Sequence, residues 1–185
     1  MGYFAVIDIE TNWHDEMMSI GAVIADDRDF ACIDSKYFII DPCYKVGGMF
    51  WRALPRVDRK KEITCKRKAA IQSLESWFGE YGVESIFAYN ATFDKGHLPE
   101  FGAYKWHDIM RIAAYNQYNR KIPGEIPCCK TGRMKSNYGV EPMMRLLSGS
   151  HYYETHNALQ DAIDELKIME LLGLEIEVFR KARIS

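Results

Sequence analysis

The strongest constraint on the fold is a short apolar segment that ends in two acidic residues. Residues 3–10 read Tyr-Phe-Ala-Val-Ile-Asp-Ile-Glu, a β-rich run that stays apolar almost to its end. Such a run is typical of a central strand buried on both faces. Side chains two residues apart on a strand share a side, so Asp8 and Glu10 project together while Ile7 and Ile9 face the opposite layer.

The segments that follow predict a mixed sheet flanked by helices. Strands at 19–25 and 31–40, separated by an acidic turn, are typical of an antiparallel meander. Residues 41–65 lack clear periodicity. Beyond them we expect helices at 66–81, from about Thr92, at 108–118, at 141–147 and at 157–172, and strands at 84–89 and 103–107. Three meandering strands followed by alternating helices and strands indicate an α/β fold.

Length and composition suit one domain spanning 1–185, since 48% of the 185 residues are hydrophobic and 27% are charged.

No apolar run approaches the ~20 residues of a membrane span, and the first one stops at Asp8, so we expect a cytoplasmic protein without a membrane partner. The five cysteines include no C-x-x-C pair, which argues against a disulfide framework or zinc ribbon. Cys128 and Cys129 receive no role.

Three separated segments supply candidate chemistry. Like charges such as Asp8 and Glu10 are unfavourable at the end of a buried strand unless a cation neutralises them, and oxygen ligands suit Mg²⁺ or Mn²⁺. Asp94 lies at a junction between strand and helix. His156 lies just before a helix that contains Asp161, where Asn157 and Gln160 have capping-box spacing. Each segment alone also fits an ordinary role: hydrated acids, an acid at a helix N-terminus, or a loop histidine.

Together, the segments resemble the DEDDh 3′→5′ exonucleases, the family of polymerase proofreading subunits, RNase T and oligoribonuclease. The D-x-E-T motif stands at 8–11, N-A-x-F-D at 90–94 and H-x4-D at 156–161, and a W-x-D segment stands at 106–108. The likeness spans roughly residues 3–172, in the family's order. It is far more specific than any one motif, because each ordinary role would have to hold independently.

The resemblance implies an RNase H-like fold and catalysis with two divalent metal ions, Mg²⁺ or Mn²⁺. Asp8, Glu10 and Asp161 would bind the metals directly, and Asp94 would hold the second metal partly through water. His156 would be the general base. The products would be 5′-mononucleotides, formed by in-line displacement at phosphorus.

The resemblance also implies contacts with single-stranded 3′ ends, with DNA favoured and RNA the close alternative. Thr11 would contact the terminal nucleotide, and Asn90 and Trp13 join it as candidate substrate-binding residues. Many relatives carry Gly where Asn12-Trp13-His14 stands, so Trp13 either stacks on the terminal base or has a core or surface role. A polymerase or homodimer partner stays open.

Two basic groups suit phosphate contacts or solvated surface, although the net charge is only −2. Phe50 and Trp51 precede the first group and are candidate stacking platforms, although burial is their more common fate. The second group lies in the long loop 119–138, a candidate substrate loop. The first comprises Arg52, Arg56, Arg59, Lys60, Lys61, Lys66, Arg67 and Lys68, and the second Arg120, Lys121, Lys130, Arg133 and Lys135.

Two other classes of function remain. Asp8-Ile9-Glu10-Thr11 also resembles the D-x-D-x-T strand end of haloacid dehalogenase-type phosphatases, with Glu10 in place of the second Asp and no role for His156. A catalytically silent nucleic-acid-binding domain would gain nothing from clustered acids near phosphates.

Overall fold

A six-stranded mixed sheet is the centre of the computed structural model, which describes residues 2–56 and 62–185. The strands are β1 Tyr3–Thr11, β2 Met17–Asp26, β3 Cys32–Ile40, β4 Glu62–Cys65, β5 Ser85–Ala88 and β6 Lys105–Asp108. Their order across the sheet is β4-β3-β2-β1-β5-β6. The first three strands form the predicted antiparallel meander, while β4 runs parallel to β3, and β5 and β6 continue the sheet in parallel with β1. The predicted mixed sheet is confirmed.

Helices cover both faces of this sheet. They are α1 Arg67–Tyr81, α2 Thr92–His97, α3 Met110–Ala113, α4 Val140–Ser148, α5 Ala158–Leu172 and α6 Ile176–Arg180. Ile7 and Ile9 of β1 pack in the layer that contains α1. Phe4 and Val6 pack in the layer of α4 and α5, so the alternation expected for β1 holds. Within the described residues, no helix combines the length and apolarity needed to cross a membrane.

One local prediction was wrong, and two short elements were not predicted. The helix expected at 108–118 starts after Asp108, which ends β6, and it ends at Ala113, whose carbonyl accepts a 2.7 Å hydrogen bond from the Asn119 amide. The aperiodic stretch 41–65 contains β4, an edge strand whose two central residues are exposed, so no apolar alternation marked it. The short helix α6 was not predicted.

A close contact at Gly21 brings α5 against the sheet. Gly21 of β2 pairs with Asp8 of β1. A Cβ atom at Gly21 would lie 2.2 Å from the Ala158 carbonyl oxygen and 2.2 Å from the Leu159 nitrogen, both in the first turn of α5. The absent side chain therefore lets the start of α5 lie directly beside the acidic end of β1.

The Gly21→Ala substitution is expected to destabilise the protein by about 1–3 kcal/mol, because the added methyl group must push apart two backbone segments. This corresponds to a melting temperature lower by roughly 2–12 °C for a chain of this size. Gly79→Ala is the matched control. No atom lies within 4 Å of a Cβ at this α1 position, so the control should be neutral or slightly stabilising. Equal melting temperatures for both variants in calorimetry would contradict the close packing.

Candidate active site

Three of the candidate side chains meet where β1 ends and α5 begins. One ligand atom each from Glu10, His156 and Asp161 lies within 4.8 Å of the others. The His156 Nδ1 atom is 4.0 Å from the Glu10 Oε1 atom. Asp8 belongs to the same cluster, since Glu10 and Asp161 both act electrostatically on its carboxyl group. The fold thus assembles residues from the two ends of the chain.

Asp94 joins this cluster through the backbone of β1. The ladder between β1 and β5 extends only to Val6, which leaves the Ile9 N–H beyond it. That N–H donates a 3.2 Å hydrogen bond to the Asp94 Oδ1 atom, and Asp94 is only 2% exposed. Asp94 is therefore bonded to the backbone of β1 at Ile9, the residue between Asp8 and Glu10 in the sequence.

The turn before Asp94 is held by two further buried acids. Asn90 has a φ of 62°, a left-handed conformation that asparagine tolerates better than most residues. Its N–H donates to the Asp108 carboxylate at 3.1 Å, and the N–H of Tyr89 donates to Glu165 at 3.0 Å. Asp108, the acid of the W-x-D segment, thus positions the turn.

The start of α5 is anchored as its capping spacing predicted. The Asn157 side chain accepts a hydrogen bond from the Gln160 N–H and donates a 2.9 Å bond to the Ala53 carbonyl. His156, just before the helix, has a left-handed φ of 54°. Its ring stacks on Phe50 with centroids 3.6 Å apart, so one predicted stacking platform holds the histidine.

Burial and mutual repulsion favour the protonated form of these acids in the absence of a cation. Burial, with Asp161 next in effect, raises the pKa of Glu10 to about 8. Burial, followed by Glu154, raises the pKa of Asp161 to about 8, and burial raises the pKa of Asp94 to about 7. The pKa of Asp8 is raised well above its ordinary value by burial and by the charge of Glu165.

The donor set fits a hard divalent cation. The Asp8 Oδ2 atom is buried and has no hydrogen-bond partner among the described residues. A cation would satisfy this oxygen and relieve the repulsion that raises the neighbouring pKa values. Carboxylate oxygens are the ligands preferred by Mg²⁺ and Mn²⁺.

One buried acid of the site, Glu165, was not predicted from the sequence. Its carboxylate accepts the Tyr89 N–H and acts electrostatically on Asp8, and burial, with Asp94 next in effect, raises its pKa. The available signal was spacing, because Glu165 follows Asp161 by four residues and so shares its helix face.

The candidate substrate-binding residues Thr11 and Trp13 follow Glu10 closely in the sequence. Thr11 ends β1, and its carbonyl oxygen would be 2.6 Å from a Cβ at Gly48, so the segment around Gly48 lies against it. Trp13 is 65% exposed, which excludes the core role. Met49 and Trp51 are also exposed.

The basic groups are only partly free to contact a ligand. Lys66 pairs with Asp41, and Arg67 pairs with Glu100. In the second group, Lys121 donates to the Leu171 carbonyl. Arg59, Lys60 and Lys61 lie outside the described residues.

Comparison with solved structures defines the class of fold. The nuclease domain of 3′hExo, a DEDDh family member bound to rAMP, has a TM-score of 0.65 and 14% identity over 99% of this chain and 96% of its own. A full-length 3′-exonuclease has a TM-score of 0.64 and 12% identity, covering 99% of this chain and 89% of its own. The zinc-bound complex of E. coli ExoI with single-stranded DNA has a TM-score of 0.65 and 16% identity, and the match covers 93% of this chain but 40% of ExoI.

The chain therefore has the RNase H-like fold of the DEDDh nuclease domains, as its motifs predicted. No protein-family profile matches the sequence, and no curated protein matches it significantly.

Proposed function

We propose that this chain, as one domain over residues 1–185, is a metal-dependent 3′→5′ exonuclease acting on single-stranded nucleic acid. The main observation is the cluster of Glu10, His156 and Asp161 beside Asp8 and Asp94, in the order of the DEDDh motifs. Likeness to a nuclease domain bound to rAMP and to ExoI bound to single-stranded DNA supports the substrate class.

Asp8, Glu10 and Asp161 would bind two divalent cations directly, and Asp94 would hold the second partly through water. When bound, two such ions stabilise both the attacking and the leaving oxygen of an in-line displacement at phosphorus. The buried, mutually repelling carboxylates supply the negative charge that attracts them.

His156 would accept the proton of the attacking water. Burial lowers the pKa of His156 below its ordinary value, so the ring is neutral and able to accept a proton at neutral pH. The stack on Phe50 and the left-handed backbone fix the ring at the edge of the acidic cluster. The reaction would release 5′-mononucleotides.

Thr11, Asn90 and Trp13 would contact the terminal nucleotide. The exposed ring of Trp13 is available to stack on a base, and Trp51 and Met49 are exposed apolar side chains as well. Stacking does not distinguish the two sugars. DNA is our favoured substrate, and RNA is the alternative within the same chemistry.

The position of His156 argues against a phosphatase of the haloacid dehalogenase type, in which it would have no role. A silent binding domain is disfavoured for a different reason. Five acids share one site (Asp8, Glu10, Asp94, Asp161, Glu165), and a domain that only binds phosphates gains nothing from such a cluster.

To test this, the protein is incubated with 5′-labelled single-stranded DNA or RNA oligonucleotides in Mg²⁺, Mn²⁺ or EDTA, and the lengths of the labelled products are measured. We expect a ladder that shortens from the 3′ end only with metal, and its absence in Asp8→Ala. Glu80→Gln, which removes an exposed acid of α1, is the matched control and should cleave normally. A folded protein that produces no ladder on either substrate would contradict the proposal.

A further inference from the structure

A pocket lies at the opposite end of the sheet from the acidic cluster. It has a volume of about 520 Å³ and is lined mainly by Tyr3, Ser85, Lys105, His107, Arg180 and Arg183, which we call the rear pocket. Tyr3 begins β1, whereas Glu10 lies near its end, so roughly 23 Å of strand separates the two sites. The volume is within the range of small-molecule sites, about 300–1,000 Å³.

The rear pocket has an excess of basic side chains. Glu84 is the acid on its lining and pairs with Lys105 at 2.8 Å. Arg180 pairs with Glu177 and, at 3.8 Å, with Asp27. Arg183 is exposed and forms no ion pair within residues 2–56 and 62–185, so its guanidinium is available to an anion.

His107 provides an independent indication that this pocket binds a ligand. It is 3% exposed, and its ring stacks on Phe87 with centroids 4.7 Å apart. Both ring nitrogens are buried without a hydrogen-bond partner in the part of the chain that is described. The Arg180 carbonyl approaches the ring but does not reach hydrogen-bonding geometry.

A buried polar group without a hydrogen-bond partner destabilises the folded protein, so a ligand that supplies partners for this ring would recover free energy. Burial lowers the pKa of His107 to about 4, which leaves the ring neutral near pH 7. A neutral imidazole offers one donor and one acceptor. This suits a polar, uncharged part of a ligand better than its anionic group.

We propose that the rear pocket binds a small phosphorylated molecule of about mononucleotide size. Its phosphate group would lie against Arg183, with Arg180 and Lys105 nearby, because guanidinium groups recognise phosphate through paired hydrogen bonds. His107 would bond the uncharged polar part, and the Tyr3 ring would supply an apolar wall. This site does not depend on the acidic cluster.

Isothermal titration of the full chain in EDTA tests the proposal, with adenosine monophosphate, adenosine and inorganic phosphate as probes. We expect the monophosphate to bind more tightly than phosphate alone and adenosine to bind least. Arg183→Ala should weaken the monophosphate at least about tenfold, since a charged hydrogen bond contributes about 1.5–3 kcal/mol. Lys181→Ala removes a neighbouring exposed charge outside the pocket and should change affinity less than about twofold.

His107→Phe is the second variant, because it preserves the stack on Phe87 and removes both nitrogens. It should weaken the monophosphate and also raise the melting temperature, which a folding defect would not do. Affinity unchanged in Arg183→Ala and His107→Phe, or a dissociation constant weaker than about 1 mM for wild type, would overturn the proposal. So would a change of affinity in Asp161→Asn, in either direction, because it would locate the ligand at the acidic cluster.

Discussion

The Asp161→Asn variant is expected to lose at least roughly a thousandfold of metal-dependent exonuclease activity while its metal-free form becomes more stable. The loss follows because a metal ligand at the reacting phosphorus contributes several kcal/mol, and each 1.36 kcal/mol is a factor of ten in rate. The gain in stability follows because the carboxyl group of Asp161 is 2% exposed and faces Glu154 and Asp164.

The gain in stability depends on pH in a defined direction. Burial and neighbouring acids raise the pKa of Asp161 in the folded protein from 3.8 to about 8. A raised carboxyl pKa means that the folded state binds more protons than the unfolded state between these values, so stability falls as pH rises through that range. Asparagine removes this dependence. The variant should therefore match wild type near pH 4 and exceed it most above pH 8.

Thermal unfolding of both proteins in EDTA at pH 5 and pH 9 measures this difference. One pKa unit is worth 1.36 kcal/mol, so an advantage of at least about that size is expected at pH 9, or roughly 3–6 °C. Added Mg²⁺ should raise the melting temperature of wild type and have less effect on the variant. Glu80→Gln should behave as wild type. A variant that is less stable than wild type at pH 9 in EDTA would contradict the repulsive cluster.

The sequence predicts those strands and helices whose buried positions carry apolar side chains. The ten residues of β2 are all buried, and β1 alternates between two apolar layers, so both strands are evident from residue type. The edge strand β4 is different, since it pairs with β3 through the backbone while Ile63 and Thr64 remain exposed. Its pairing leaves no pattern in the side chains.

The candidate site also has parts that the sequence predicts and parts that only the structure reveals. Asp8 and Glu10 are two residues apart on a strand, so the spacing places them on the same side. Asp161 and Glu165 are four residues apart on a helix, so the spacing would have placed them on the same face. The stack of Phe50 on His156 joins two loops far apart in the sequence, and no local period relates them. Gly21 is a comparable case: only the packing of α5 against β2 reveals why a side chain is excluded there.

The His156→Ala variant is expected to lower the single-turnover cleavage rate about 100- to 10,000-fold at pH 8, the usual contribution of a general base. Because only neutral imidazole accepts a proton, the wild-type rate should fall as the pH drops through the pKa of His156. Burial lowers this pKa, so the fall should occur below the ordinary histidine range. Oligonucleotide affinity should change little.

Rates measured from pH 5 to pH 9 with saturating metal separate this role from a structural one. The control is His151→Ala, which removes an exposed histidine five positions earlier. It should keep the wild-type rate and the wild-type fall in rate at acidic pH. In His156→Ala the fall in rate caused by protonation of the imidazole should disappear. The rate should then change with pH only through the carboxylates. Phe50→Leu should preserve the fall in rate at acidic pH and lower the rate less than His156→Ala does. It removes the aromatic ring that stacks on His156 but leaves the imidazole in place. A His156→Ala profile that coincides with wild type would exclude His156 as the base and leave the carboxylates to activate the water.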